Sequence, residues 1–148
     1  FYDSDIHGDK IPEGAIEITE EQWLEFINNQ GQRYWKDGKI EIFDPERMKI
    51  TEQGIVEKSF DDFKQEKLQQ LKSYVSNLLS QTDWVVIKLQ SMKEEGWSNN
   101  EIQVEVQKYQ PILEKRKRIR EWNEQTEQAI QNAKTIEELE AIKIEFEG

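Results

Sequence analysis

The residues best able to do chemistry lie at the start of the chain. The single histidine, His7, sits in Asp3-Ser4-Asp5-Ile6-His7-Gly8-Asp9, which places three carboxylates and one imidazole within seven residues. Such donors can ligate a divalent cation. The specific test is the EF-hand loop, Asp-x-[Asp/Asn]-x-[Asp/Asn]-Gly-x5-Glu. Read from Asp3, its third ligand position falls on His7 and its bidentate glutamate position on Gly14. Both are wrong, so calcium binding in that mode is excluded. A structural metal site also needs about four ligands held together. Short polar side chains in such a run otherwise bond nearby backbone N–H groups in turns. We therefore expect no metal and no other cofactor.

Nucleophilic chemistry is poorly supported. The chain has no Cys, no Gly-x-Ser-x-Gly and one His. A disulfide framework and a thiolate metal site are excluded with the cysteines. Carboxylate pairs of the glycosidase kind arise by chance among 31 acids. No Gly-x-x-x-x-Gly-Lys and no Gly-x-Gly-x-x-Gly occurs, so a phosphate-cradling loop is not expected. The expectation is a chain without catalytic residues.

One basic run, Lys115-Arg116-Lys117-Arg118-Ile119-Arg120, raises the question of nucleic acid. On a helix these residues point around most of the circumference. Glu114 and Glu121 flank the run, and Glu114 stands four residues before Arg118, the spacing of a helical ion pair. A net charge of -11 repels phosphate backbones, so no nucleic-acid partner is expected. The five tryptophans are more informative. Trp23, Trp84 and Trp122 fall in helical apolar patterns and read first as core. Trp35 and Trp97 sit at turns, where an aromatic serves either as a packed lid or as an interface anchor. Trp35, Trp97, Trp84 and Trp122 are the candidate partner-binding residues.

Composition sets the frame for these side chains. In 148 residues, apolar residues make up 35% and charged residues 34%. Mean hydropathy is -0.92. Ordinary domains are nearer half apolar and a quarter charged, so the core is thin. Fifteen aromatics argue against a disordered acidic tail. The longest apolar run, Trp84-Val85-Val86-Ile87, is far short of a membrane span. No membrane association is expected. The opening Phe1-Tyr2-Asp3-Ser4-Asp5 lacks the basic and apolar regions of a signal peptide.

Residues 1–58 carry 14 acids and 7 bases, net -7, and hold five of the seven Gly. Residues 59–148 carry 17 acids and 13 bases, net -4, and are rich in Gln, Glu, Lys and Leu. The expected fold is α+β: a small β-rich N-terminal unit with one short helix over 1–58, then a helical unit of antiparallel, coiled-coil-like helices over 59–148. In the first unit, Ala15-Ile16-Glu17-Ile18 alternates like a strand. Thr19-Glu20-Glu21-Gln22 is a capping box that opens a helix through Ile27, with Gly31 as its stop. Asp37-Gly38 between Arg33-Tyr34-Trp35 and Ile40-Glu41-Ile42 signals a hairpin. Thr51 to Val56 suggests one further short strand.

In the second unit Ser59 caps a helix with an acidic first turn. Leu68, Leu71, Val75 and Leu78 form a stripe at coiled-coil spacing, able to pack within the chain or between chains. Thr82 or Asp83 opens a new helix through Met92, stopped by Gly96. Ser98-Asn99-Asn100-Glu101 and Thr135-Ile136-Glu137-Glu138 are two more capping boxes. Pro111 breaks the chain at Tyr109-Gln110 and a long helix runs from Ile112 to Ala133.

The segment Phe1-Tyr2-Asp3-Ser4-Asp5-Ile6-His7-Gly8, followed by Ile11-Pro12 and Ala15 through Trp23, resembles the opening of tail fibre assembly proteins of tailed bacteriophages. The Lys36-Asp37-Gly38-Lys39 hairpin and Asp44-Pro45 fit the same pattern. The second unit resembles tail assembly chaperone segments, in Leu78-Leu79-x-x-Thr82-Asp83-Trp84 and in Arg116-Lys117-Arg118-Ile119-Arg120-Glu121-Trp122. The last segment, Thr135 to Gly148, departs from members that end in a Trp-Pro stretch. The resemblance implies a non-enzymatic chaperone that binds the C-terminal receptor-binding region of a tail fibre protein and assists its folding and trimerisation in the host cytoplasm. It places Asp3, Asp5, His7 and Gly8 in a turn. A structural virion protein that stays at the fibre tip as a cap or adhesin is the alternative, and a homo-oligomer is compatible with either. A metal-dependent enzyme built on Asp3 to Asp9 is the reading from another class.

Overall fold

The structure, a computed structural model, describes residue 10 and residues 12–148. The cluster from Asp3 to Asp9, including His7, lies outside the described residues. The chain is mixed α+β and divides into two compact units, Phe1–Glu57 and Lys58–Gly148.

In the first unit the alternating segment Ala15 to Ile18 is irregular, not a strand. Alternation specifies two faces, but a strand also needs a neighbour to take its N–H and C=O groups. Helix α1, Glu20–Asn28, begins as the sequence predicts. The Gln22 N–H donates to Thr19 Oγ1 at 3.2 Å, and the Thr19 N–H donates to Gln22 Oε1 at 2.9 Å. It ends two residues before Gly31, where the Asn29 side-chain amide donates to the Glu25 carbonyl at 2.9 Å and satisfies one of the last acceptors.

Strands β1, Arg33–Lys36, and β2, Lys39–Ile42, form an antiparallel hairpin with Trp35 opposite Ile40. Its turn residues have positive φ, 49° at Asp37 and 81° at Gly38, as a type I′ turn requires. The expected single strand from Thr51 to Val56 is instead a second hairpin. Strand β3, Met48–Thr51, pairs antiparallel with β4, Gly54–Glu57, with Ile50 opposite Ile55. The Thr51 hydroxyl donates to the Gly54 carbonyl at 2.9 Å across the turn. Thr51 and Val56 therefore stand on opposite strands. Each of these sheets has two strands. None of the described residues of this unit is fully buried.

The second unit holds the buried core. Helix α2, Phe60–Ser80, is opened by Ser59, whose N–H donates to Asp62 Oδ2 at 2.7 Å while its hydroxyl accepts the Asp62 N–H at 3.2 Å. Beyond a break at residues 81–82 come α3, Asp83–Glu94, and α4, Asn99–Lys108. The long α5, Gln110–Asn132, starts two residues before the expected Ile112, because Pro111 is tolerated in a first turn where its missing N–H has no acceptor to lose. A short α6, Ile136–Ala141, closes the unit. Its cap is a variant of the expected box: Thr135 accepts the Glu138 N–H, while the Glu138 carboxylate takes the N–H of Lys134 at 2.7 Å.

The α2 stripe packs within the chain. Leu71 is buried together with Ile130, Ala133 and Leu139, and Phe63, Leu68, Val75 and Trp122 pack against them. Lys64 reaches 67 residues along the chain to donate to the Gln131 carbonyl at the end of α5, at 2.9 Å. Tyr74 and Phe146 meet Trp122 edge-on, with centroids 5.8 and 5.7 Å away.

The break between α2 and α3 is held by Arg116 of α5, which is only 5% exposed. Its Nη1 donates to the Leu79 carbonyl and to the Thr82 hydroxyl, each at 2.7 Å, and its Nη2 donates to Asp83 Oδ1 at 2.7 Å. The sequence reading placed this residue in a solvated basic run, but one member of that run is turned inward. Its Nε is buried without a partner. We expect Arg116→Ala to lower stability by about 2 kcal/mol, because it removes three hydrogen bonds to a charged group and unpairs Asp83, while the Leu79 carbonyl and the Thr82 hydroxyl keep their bonds to each other. Lys115→Ala should stay within about 0.5 kcal/mol of the parent. Urea midpoints of the two variants check this.

Candidate partner-binding surfaces

The four tryptophans proposed as partner contacts fall in different environments. Trp122 is half-buried in the α2–α5 core, with Tyr74 and Phe146 against its ring. Trp35 is half-buried on β1. Trp84 is 51% exposed and Trp97 is 47% exposed. The core reading of Trp84 is thus corrected, and Trp23 on α1 is also exposed. The cause at Trp84 is geometric. Four consecutive apolar residues on a helix span more than one face, so they cannot all point inward. Val85 takes the buried position, and Trp84, Val86 and Ile87 are left outside. The run Trp84-Val85-Val86-Ile87 was itself the signal, visible in the sequence but read only as too short for a membrane.

Helices α3 and α4 are antiparallel, as their cross-contacts show. Trp84 meets Tyr109 edge-on at 5.3 Å, and Lys88 donates to Glu105 Oε2 and to the Tyr109 hydroxyl. Val85 and Met92 on α3 and Ile102 on α4 are buried. With 100° between successive residues, Ile87 of α3 and Val104 of α4 each turn about 160° away from the buried Val85 and Ile102 of their own helices, and Trp84 lies on the flank of α3. Ile87 is 67% exposed and Val104 65%. Neither was singled out from the sequence.

The polar groups of the pair are held in place. The Lys88 hydrogen bond keeps the Glu105 carboxyl below its ordinary range, and Glu105, then Tyr109, raise the Lys88 ammonium. The Ser91 hydroxyl, then the Trp97 indole, lower Glu95, to which Trp97 Nε1 donates at 2.9 Å. Ser98 lowers Glu101 through its hydroxyl and its backbone N–H. This is the cap of α4.

In the first unit Trp23 and Leu24 of α1, Ile42 of β2 and Ile50 of β3 are each exposed. An open groove of about 620 Å³ runs beside α2 and α5, with Leu68, Leu71 and Val75 along its floor and Lys72, Asn123 and Glu127 at its rim. Among the described residues no group of three or more His, Cys, Asp or Glu is arranged to hold a metal ion. No helix among them is long and apolar enough to cross a membrane. The basic run does not form one continuous basic surface. Arg116 is inside, Lys117 pairs with Glu121 at 3.6 Å, and Glu114 accepts from Gln110 at 3.0 Å where the sequence suggested an Arg118 pair.

Three carboxyls here, Glu95, Glu101 and Glu105, have folded values below the ordinary 4.5. Each stabilises the fold above 4.5, and that contribution is lost as pH falls through its lower folded value. The α3–α4 pair should therefore loosen as pH falls below 4.5. Glu101→Gln should shrink the difference between the urea midpoints at neutral and acid pH. Acrylamide should quench Trp84 and Trp97 readily and Trp122 poorly, which variants with single Trp→Phe changes resolve.

No protein-family model matches the chain, and no solved structure matches it. Over 31 residues it is 48% identical to a protein described as "Probable tail fiber assembly protein" from Shigella phage SfV. That stretch is 21% of this chain, and the chain spans 19% of the length of that curated relative.

Proposed function

We propose that the chain is a bacteriophage tail fibre assembly factor: it binds a fibre protein and assists its folding and trimerisation, and it catalyses no reaction. The observation that carries this reading is the 48% identity over 31 residues to a probable tail fibre assembly protein. The match is short, so the partner and the chaperone role are this proposal's own. The number of large apolar side chains left exposed on both units, among them Trp23, Ile42, Ile50, Trp84, Ile87 and Val104, supports a binding protein.

The mechanism is shielding. Fibre chains expose apolar surface and unpaired strand edges until the trimer closes, and such surfaces aggregate. The first unit suits contact with them. None of its described residues is fully buried, and Trp23, Leu24, Ile42 and Ile50 lie open. Its two-stranded hairpins are marginal alone and gain from further packing. The net charge of -11 keeps the complex soluble. The proposed place of action is the host cytoplasm during particle assembly, at the receptor-binding end of the fibre.

Co-expression with the fibre encoded beside it tests this. The chain should co-purify with the fibre and raise the yield of detergent-resistant trimer. An unchanged trimer yield with no co-purification would sink the reading. Ile50→Asp, at an exposed strand position, should weaken the complex about tenfold by burying a charge at the contact.

A further inference from the structure

We infer that the segment 142–147, which follows α6, is an open strand edge that pairs backbone to backbone with an extended segment of a fibre chain not yet built into its trimer. The identity of that partner rests on the fibre reading proposed above, whereas the edge is a feature of this chain alone.

The segment, Ile142-Lys143-Ile144-Glu145-Phe146-Glu147, alternates apolar and charged residues at the period of a strand. Burial follows the same period. Ile142, Ile144 and Phe146 are half-buried, and Lys143, Glu145 and Glu147 are exposed. Ile142 has extended backbone, φ -75° and ψ 107°, and residues 143–148 form no helix or turn. The inner side chains fix the segment to the fold. Ile142 and Ile144 pack against the core of α2, α5 and α6, and the Phe146 ring meets Trp122 edge-on at 5.7 Å.

The backbone is what this packing leaves unused. Along an extended chain, the N–H and C=O of one residue point to one edge and those of the next to the other. The Phe146 N–H donates to the Tyr74 hydroxyl oxygen at 3.3 Å, so the edge of Ile142, Ile144 and Phe146 faces α2. The opposite edge belongs to Lys143, Glu145 and Glu147. No backbone N–H or C=O of these three is hydrogen-bonded to another described residue. All three residues are exposed, so water meets those groups in the free chain. A row of unpaired backbone groups is a template for a further strand. Here the row is already ordered by its inner side chains, which lowers the entropy lost on pairing.

A second copy of this chain and a fibre chain are the two sources of such a strand. Charge disfavours the copy. The antiparallel pairing that uses the whole edge twice sets Glu145 opposite Glu145, and like charges directly opposite destabilise a pair. Each copy also carries -11. A fibre strand has no such fixed opposition, and in the shielding mechanism it is the species that carries an unpaired edge.

Amide hydrogen exchange resolved to single residues, on the full chain alone and in its co-purified complex with the fibre encoded beside it, is the first test. The Lys143, Glu145 and Glu147 amides should exchange freely in the chain alone and slow at least about tenfold in the complex. Glu145→Pro deletes one N–H of the edge, yet suits an extended chain and keeps Ile144 extended before it. It should weaken fibre binding at least about tenfold. Glu145→Thr keeps the N–H and should bind within about twofold of the parent. Phe146→Ala keeps every N–H but unseats the segment, and should also weaken binding. An unchanged urea midpoint shows that Glu145→Pro is folded. A parent that binds the fibre while the three amides stay fast, or while both Glu145→Pro and Phe146→Ala bind as well as it does, overturns the inference and leaves the fibre reading standing. A parent that does not bind the fibre at all removes the fibre reading, and with it the partner named here. Loss of self-association on Glu145→Pro, with fibre binding intact, assigns the edge to a second copy and also overturns the inference.

Discussion

The second unit is organised around one guanidinium. Arg116 projects from α5 into the break between α2 and α3 and binds the Leu79 carbonyl of one helix and the Thr82 and Asp83 side chains at the start of the next. A helix end buried without partners is costly, and here a single planar side chain supplies them. Where α2 stops and where α3 starts are thus both referred to α5. Lysine could not do the same, because one ammonium cannot present two separate nitrogens to targets on either side of a break. The buried Nε without a partner is the cost of the placement.

The clasp separates two kinds of packing. On one side of it, Leu71, Ile130, Ala133 and Leu139 form a true core between α2, α5 and α6. On the other, α3 and α4 bury only Val85, Met92 and Ile102 and leave larger side chains outside. The first unit goes further, with hairpins and one helix but no fully buried described residue. The low apolar content is therefore not spread evenly. It is concentrated in one compact core, while Trp23, Trp84 and Trp97 are left exposed.

Local signals were legible in the sequence and long-range ones were not. The boxes at Thr19, Ser59 and Ser98 are all formed, because a cap is settled within four residues. The Asp37-Gly38 turn is formed for the same reason. The β3–β4 hairpin was missed because Met48-Lys49-Ile50 is too short to show a period, and only pairing with Ile55 defines it. The inward turn of Arg116 depends on partners 33 to 37 residues away, which no spacing rule reports. Trp84 was misplaced because a helical pattern tells which residues share a face but not which face finds a neighbour.

The antiparallel pairing of α3 and α4 also has a kinetic meaning. Lys88 and Glu105 are 17 residues apart, whereas Lys64 and Gln131, which tie α2 to α5, are 67 apart. Closing the shorter loop costs less chain entropy, and contacts between near neighbours form sooner. Gly96 and the capped start at Ser98 already turn the chain back on itself. On a ribosome, α3 and α4 emerge and can pair before the C-terminal half of α5 has been made. The nascent chain thus holds this hairpin while its main core is still unfinished.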